Sequence, residues 1–448
     1  MPGTMTWAGS QTLGPSVRTG AGFRMIVSMP PSPRSHARHS TKDLSRHIGR
    51  RFGLSVLAVT LFLSSAAYGV YNQLDSQIDR QDVTDLLGTD RPDAASTHGP
   101  ADDFDGKPVN ILIMGSDIRR GYDDGTEGMR SDTTAIFHLS ADRKRIDVVS
   151  IPRDTMVAIP SCRLPDGSKS EAQSYAMFNS AFSTGSDDSS NPADTKYAAA
   201  CTMRTVEKLT GMRIDHFMVI DFTGFENMVN ALGGVPMYLD EPIDDPNAGL
   251  FVGAGCQHLN GDQALGYART RYSVGDGSDI SRIGRQQKLM AAMMRAAMNK
   301  NLLTEGPALY DFASAALSSL TMNPEIGSLS TLAGLAMSLN SIGVQNVNFI
   351  TMPNEYDPED GNRVLPTKDA SAVWNALKQD TPVPDTIAHT SADGSTTAPT
   401  DQPSTPSAPD GQETAPDQGA PAPAPAPAPA PSGQSAPVPT KDPALECR

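Results

Sequence analysis

The sequence contains none of the short signatures that mark the common hydrolases and metal enzymes. The segment GSDIRRG (residues 115–121) lacks the Lys-Ser/Thr end of a P-loop, and no GxSxG, HExxH or CxxC occurs anywhere. Nucleotide hydrolysis on a P-loop, serine hydrolysis and zinc chemistry therefore lose support. Histidine is scarce, and His138, His216 and His258 stand singly, which suits ordinary strand or loop residues better than catalytic bases. No self-similarity at 20–50 residues is visible, so a solenoid or propeller is not expected. Hydrophobic residues make up 38% and charged residues 19%, both low for a globular chain, because a Pro- and Ala-rich tail and a polar N-terminus dilute one ordinary core.

Basic residues are also in deficit, with a formal net charge of -15. The imbalance is uneven along the chain. Residues 1–51 hold eight Lys or Arg against one acidic residue, whereas residues 72–105 hold nine acidic against two basic. That asymmetry argues against nucleic acid as a partner and for membrane topology. Residues 52–71, FGLSVLAVTLFLSSAAYGVY, carry no charge, and as a helix they rise about 30 Å, the thickness of the hydrocarbon core. Arg50 and Arg51 abut this run, so the expectation is a single span with residues 1–51 cytoplasmic and the rest outside. A cleaved signal peptide is the rival reading, with an unusually long basic region and apolar run.

The remaining boundaries follow from composition: an acidic linker at 72–105, a folded domain at 106–380, and a disordered tail at 381–448 with Pro-Ala alternation from Pro421 to Pro431. Four cysteines, Cys162, Cys201, Cys256 and Cys447, would meet an oxidising exterior and allow three pairings. Cys162 with Cys201 is the favoured pair because it closes a loop rich in Ser, Asp, Gly and Asn that has no long apolar run. Four free thiols is the alternative.

Within the domain, Asn110–Gly115, Thr133–Leu139 and Ile146–Ile151 read as strands, the last two as a hairpin turning at Asp142 and Arg143. Partners then sum to 285, pairing Leu139 with Ile146 and setting Asp132 opposite Arg153. A helix near Tyr197–Leu209 ends at Gly211, and His216–Phe222 is the next strand. Thr223 with Glu226 reads as a capping box for a helix Phe225–Leu232, followed by a strand Val235–Leu239, a βαβ spacing. Further helices are expected at Leu259–Tyr267, Ser281–Leu303, Glu325–Leu339 and Ala370–Lys378, with a strand at Val347–Met352. The fold class is α/β, a mixed central sheet flanked by helices. Met290, Met293, Met294 and Met298 form a helical stripe that suits core filling, or an isoprenoid chain.

Arginines and aspartates are paired throughout this domain: Asp117, Arg119, Arg130, Asp132, Arg153, Asp154, Arg269, Arg271, Asp279, Arg282 and Arg285. Several guanidinium groups in one place need a polyanion, and a pyrophosphate would serve. Two carboxylates could hold Mg²⁺ or Mn²⁺ against it. Plain surface ion pairs are the other reading of the same residues.

The ordered set GSDIR, RSDT, SIPRDT, NSAF (residues 179–182), TVEKLTG, ALGGV, LNGDQALGYARTR and SDISRIGRQQ resembles the LytR-CpsA-Psr family of Gram-positive cell-wall ligases, over about residues 108–290. The resemblance implies transfer of a glycopolymer from a polyprenyl-pyrophosphate carrier to peptidoglycan, with Mg²⁺. It implies metal-holding roles for Asp117 and Asp132 and phosphate contacts for Arg130 and Arg153. Arg269, Arg271, Arg282 and Gln286 would complete a clamp at the mouth of an apolar tunnel holding the lipid. Arg119 belongs to the signature without a definite role. Catalysis is thus expected to centre on Asp117, Arg153 and Arg271. Met177 departs from the pattern, since family members often carry Lys at that position. A pyrophosphatase acting on the same lipid, and a non-catalytic polymer-binding anchor or regulator, are the alternatives.

Overall fold

The computed structural model describes residues 41–93, 107–117, 129–187, 191–271, 274–275, 277–299, 306–397 and Cys447. Two compact units divide between Ser65 and Ala66. Helix Thr41–Asp75 begins in the first, and its stretch Arg50–Asp75 is long and apolar enough to cross a membrane. Arg119 and most of the Pro/Ala-rich tail lie outside the described residues.

The second unit is built on a nine-stranded mixed sheet. In spatial order its strands are Asp79–Arg80, Leu320–Met322, His216–Asp221, Val109–Ser116, Ser131–Leu139, Ile146–Ile151, Val347–Thr351, His389–Ser391 and Thr396–Thr397. The expected hairpin register holds: Leu139 pairs with Ile146 and Thr134 with Ile151. Every residue of Ile146–Ile151 is buried because helices cover both faces, as parallel neighbours on a sheet demand. Val149 and Ile151 face a core completed by helices Thr195–Thr210 and Lys368–Lys378, with Trp374 fully packed. Ile146 and Val148 face the other way, toward helices Asp279–Asn299 and Leu329–Ile342. Met290 and Met294 pack into that second core, and Met293 into a third, so these members of the stripe fill space between elements.

Three expectations need correction. The helix after His216–Asp221 starts at Phe222, capped by the Asp221 carboxylate, which accepts the Gly224 N–H at 2.7 Å. An aspartate at the strand end caps the helix before Thr223 can. Val235–Leu239 does not return to the sheet, because Gly233 and Gly234, both at positive φ, turn the chain away. It pairs antiparallel with Gly255–Leu259, while the parallel neighbour of His216–Asp221 is Val109–Ser116. The fold also continues past Asp380: the hairpin at 389–397 extends the sheet by two strands. Asp380 is a tie point, accepting from His138 Nε2 (3.1 Å), the Ala141 N–H (2.9 Å) and Arg145 Nη2 (3.1 Å).

After Ile151 the chain leaves the sheet as a two-stranded ribbon, Met156–Ile159 with Gln173–Met177, and returns through the short helix Ser180–Ser186. Cys162 is bonded to Cys201 on helix Thr195–Thr210, pinning the ribbon to the core. Cys256 is bonded to Cys447. Helices Ser180–Ser186 and Thr195–Thr210 meet at Gly185, where a Cβ would lie 2.4 Å from the Tyr197 carbonyl oxygen and 2.7 Å from Cys201 Cβ. Backbone cannot swing aside as a side-chain tip can. Gly185→Ala should therefore lose about 1–3 kcal/mol by overpacking, seen as a lower midpoint in thermal unfolding. An unchanged midpoint would mean that the two helices do not approach this closely.

Candidate active site

The charged residues gather where the hairpin, the ribbon and the start of helix Asp279–Asn299 meet. Asp132 is the second residue of strand Ser131–Leu139 and Arg153 follows Ile151 by two, so the register, extended two residues past the Thr134–Ile151 pair, sets them opposite each other. Arg153 Nη1 donates to Asp132 Oδ1 at 2.9 Å. Its Nε lies 3.5 Å from Asp154 Oδ1 and 3.7 Å from Asp279 Oδ1, and its backbone N–H donates to Asp279 Oδ2 at 3.0 Å. Burial works against the charge of Arg153, but Asp132, Asp154 and Asp279 more than offset it, so its pKa stays above the ordinary value.

Asp279 opens the helix, and Ser278 supplies the cap, its hydroxyl accepting the Ser281 N–H at 3.1 Å. One turn on, Arg282 donates to Asp279. Burial lowers the pKa of Arg282. Asp279 supports its charge, and Arg153, Asp132 and Arg271 also act on it electrostatically. Asp279 is raised by burial against the pull of Arg282. These couplings put Asp132, Arg153, Arg271, Asp279 and Arg282 in one half-buried cluster.

Asp117 sits at its margin. It exchanges backbone hydrogen bonds with the next strand: its N–H donates to the Arg130 carbonyl at 3.2 Å, and its Oδ1 accepts the Arg130 N–H at 2.8 Å. Burial raises the Asp117 pKa against that hydrogen bond, and the negative charge of Asp132 raises it further. Arg130 itself is exposed.

Two expected clamp residues are occupied elsewhere. The Arg269 side chain is exposed and lies over the Phe222 ring, 5.3 Å from its centroid. The Gln286 amide donates to the Ala268 carbonyl at 3.2 Å, tying its helix to Gly261–Arg269. Arg285, which the sequence groups with the others, donates to the carbonyls of Thr270 and Val274 and to Ser281 Oγ. It ties Thr270, the neighbour of Arg271, and Val274 to its helix. Residue type alone does not separate donors bound to neighbouring backbone from those within the charged cluster. Nor did the sequence reading single out Asp279 as the second anchor of Arg153, although its place at a helix start after Ser278 was visible.

A cavity of about 360 Å³ runs along Gly284, Lys288, Ala291 and Arg295, which share one face of the helix, with Met237 and Phe349 on its other walls. Arg282 lies nearly opposite that face. The lining is mixed in character, with Lys288 and Arg295 beside Met237 and Phe349.

A model of the LytR_cpsA_psr family matches residues 70–379, more than half of the chain. The probable cell wall biosynthesis protein LcpB of Corynebacterium glutamicum is 32% identical over 312 residues, 67% of this chain and 65% of its own length. The polyisoprenyl-teichoic acid–peptidoglycan teichoic acid transferase TagV of Bacillus subtilis is 29% identical over 248 residues, 54% of this chain and 56% of its own. The chain thus spans less than two thirds of either relative. The crystal structure of protein gbs0355 from Streptococcus agalactiae superposes with a TM-score of 0.51 at 23% identity, covering 65% of this chain and 93% of that one, which speaks for the fold alone. Because the family match takes in every member of the charged cluster, from Asp117 to Arg282, and ends only before the terminal hairpin, the chain belongs to the LytR_cpsA_psr family.

Proposed function

We propose that the chain is a phosphotransferase that moves a glycopolymer from a polyprenyl-pyrophosphate carrier to a hydroxyl of peptidoglycan. The observation that carries this reading is Arg153 fixed among Asp132, Asp154 and Asp279, with Arg282 and Arg271 in electrostatic reach. Cations gathered at such density suit a ligand bearing several negative charges, and a diphosphate has the right chemistry. The likeness to TagV, a polyisoprenyl-teichoic acid–peptidoglycan teichoic acid transferase, supports the class of donor and acceptor.

Asp117 and Asp132 would be the carboxylates for Mg²⁺ or Mn²⁺. Among the described residues no group of three or more His, Cys, Asp or Glu is arranged to hold a metal. An ion here would take its other ligands from phosphate oxygens and water, the habit of Mg²⁺. Burial first, and then the charge of Asp132, raise the Asp117 carboxyl, and a cation would relieve the second of these. When bound, the ion would neutralise charge on the phosphates.

The chain's own residues do the rest. Arg153 and Arg271 would hold the transferring phosphoryl group, and Arg282 the departing carrier phosphate. The acceptor oxygen forms a bond to the polymer-proximal phosphorus as the bond to polyprenyl phosphate breaks, with no protein nucleophile. Asp279 has Oδ2 taken by the Arg153 N–H and Oδ1 by Arg282, so Asp117 is the first choice as proton acceptor and Asp154 the second. Arg50 and Arg51, abutting the apolar run, favour an N-terminus in the cytoplasm and a domain outside. Pairing of all four cysteines in disulfides suits that oxidising side.

The test is product analysis with the full chain, a labelled lipid-linked glycan and a wall acceptor. Wall-linked label together with polyprenyl phosphate is the expected result, abolished by a chelator. Free glycan phosphate in place of wall-linked label would replace the reading with lipid-pyrophosphate hydrolysis. Neither product, with tight polymer binding, would leave an anchor or regulator.

A further inference from the structure

The ribbon that leaves the sheet at Arg153 brings residue 179 back beside it. The Phe178 N–H donates to the Thr155 carbonyl at 2.8 Å, and the Asn179 N–H donates to the Arg153 carbonyl at 3.1 Å. Asn179 stands just before helix Ser180–Ser186, where an asparagine ordinarily caps the first turn. It does not do so here: its backbone is helical (φ -63, ψ -21) and its side chain makes no capping bond. Its Oδ1 is buried and has no hydrogen-bond partner among the described residues. Folded chains rarely leave a buried acceptor in that condition without a use for it.

The neighbourhood limits what that use can be. The cluster supplies donors from arginines and acceptors from aspartates, and a diphosphate adds only acceptors. An amide oxygen cannot hydrogen-bond to phosphate oxygens that carry no proton. An O–H or N–H group brought by a substrate would satisfy it, and the attacking hydroxyl of the acceptor sugar is the one that must come beside the phosphorus. We propose that Asn179 is an acceptor-side catalytic residue whose Oδ1 receives a hydrogen bond from the attacking hydroxyl of the acceptor sugar. This rests on the transferase reading above.

In the step, the acceptor oxygen bonds to the polymer-proximal phosphorus, the P–O bond to the carrier phosphate breaks with its electron pair leaving on that phosphate, and the hydroxyl proton passes to a carboxylate or water. The amide is too weak a base to take the proton. Its part is to hold the O–H so that a lone pair faces phosphorus, which is an orientation effect. Water, small and abundant, needs such guidance far less than one hydroxyl of a large glycan.

The experiment follows transfer to acceptor and hydrolysis to water from the same labelled lipid-linked glycan, using the full chain. Asn179→Ala should cut the transfer-to-hydrolysis ratio about tenfold, roughly the worth of one hydrogen bond, and raise the acceptor KM, with the donor KM within twofold. Asn179→Asp keeps an acceptor oxygen at the same place and should hold the ratio near that of the unaltered chain, while its new charge weakens the donor. A parallel fall of transfer and hydrolysis in both variants, or a ratio unchanged in Asn179→Ala, overturns the assignment. Absence of any transfer by the unaltered chain would instead overturn the transferase reading itself, so the two failures are distinct.

Discussion

Arg153→Ala should slow glycan transfer by about 10²–10³, the scale seen when one preorganised donor is removed from a developing oxyanion. Arg153 is the only described guanidinium that contacts Asp132, Asp154 and Asp279 together. Its backbone is held independently, through the N–H to Asp279 and the carbonyl to Asn179, so truncating the side chain leaves the loop in place. The loss should therefore appear in rate and donor affinity more than in unfolding temperature. A secondary effect is electrostatic: Arg153 lowers the Asp279 carboxyl, and without it burial pushes that group further up, weakening the pair with Arg282. Arg153→Lys keeps the charge and loses the planar fork, so it should fall between the two. Near-normal transfer by Arg153→Ala, with product analysis as above, would remove the central element of the clamp.

The part of this site that was legible in the sequence is the part written by local rules. Turn chemistry at Asp142 and Arg143 fixes the hairpin, the hairpin fixes its register, and the register sets Asp132 against Arg153. Helix ends at Gly211 and at Ser278 follow from capping chemistry in the same way. What stayed hidden depends on partners far away in the chain. Arg91, within a stretch read as an acidic linker, makes three hydrogen bonds of 2.6–3.1 Å to the buried Glu207 carboxylate and a fourth to the Ile214 carbonyl at 2.7 Å. No periodicity near residue 91 announces a partner 116 positions on. Asp380 escaped for the same reason, because its acceptors' donors come from the distant hairpin turn. Val235–Leu239 was assigned to the sheet since strand-helix-strand spacing fits a crossover, and only the positive φ of Gly233 and Gly234 tells against it.

Replacing both Cys162 and Cys201 by Ser should cost about 4 kcal/mol, from the loop entropy released in the unfolded chain at a sequence separation of 39. That is roughly a thousandfold in the folding equilibrium. The consequence for the site is larger than for a disulfide elsewhere, since the bond clamps a ribbon whose first residue after the sheet is next to Arg153 and whose return carries Asn179. Around it the ties include single hydrogen bonds, from the Ser161 hydroxyl to the Ser170 carbonyl, from the Cys162 N–H to Ser170 Oγ and from Arg204 to the Ser161 carbonyl, and residues 165–172 are mostly exposed. The ribbon should therefore loosen before the sheet does. Activity in the double variant is expected to be lost several degrees below the main unfolding transition, whereas in the unaltered chain the two losses coincide. Parallel measurement of transfer rate and unfolding across temperature separates these cases. Coincident loss in the double variant would mean that the ribbon is held by the core itself and that the disulfide contributes only to global stability.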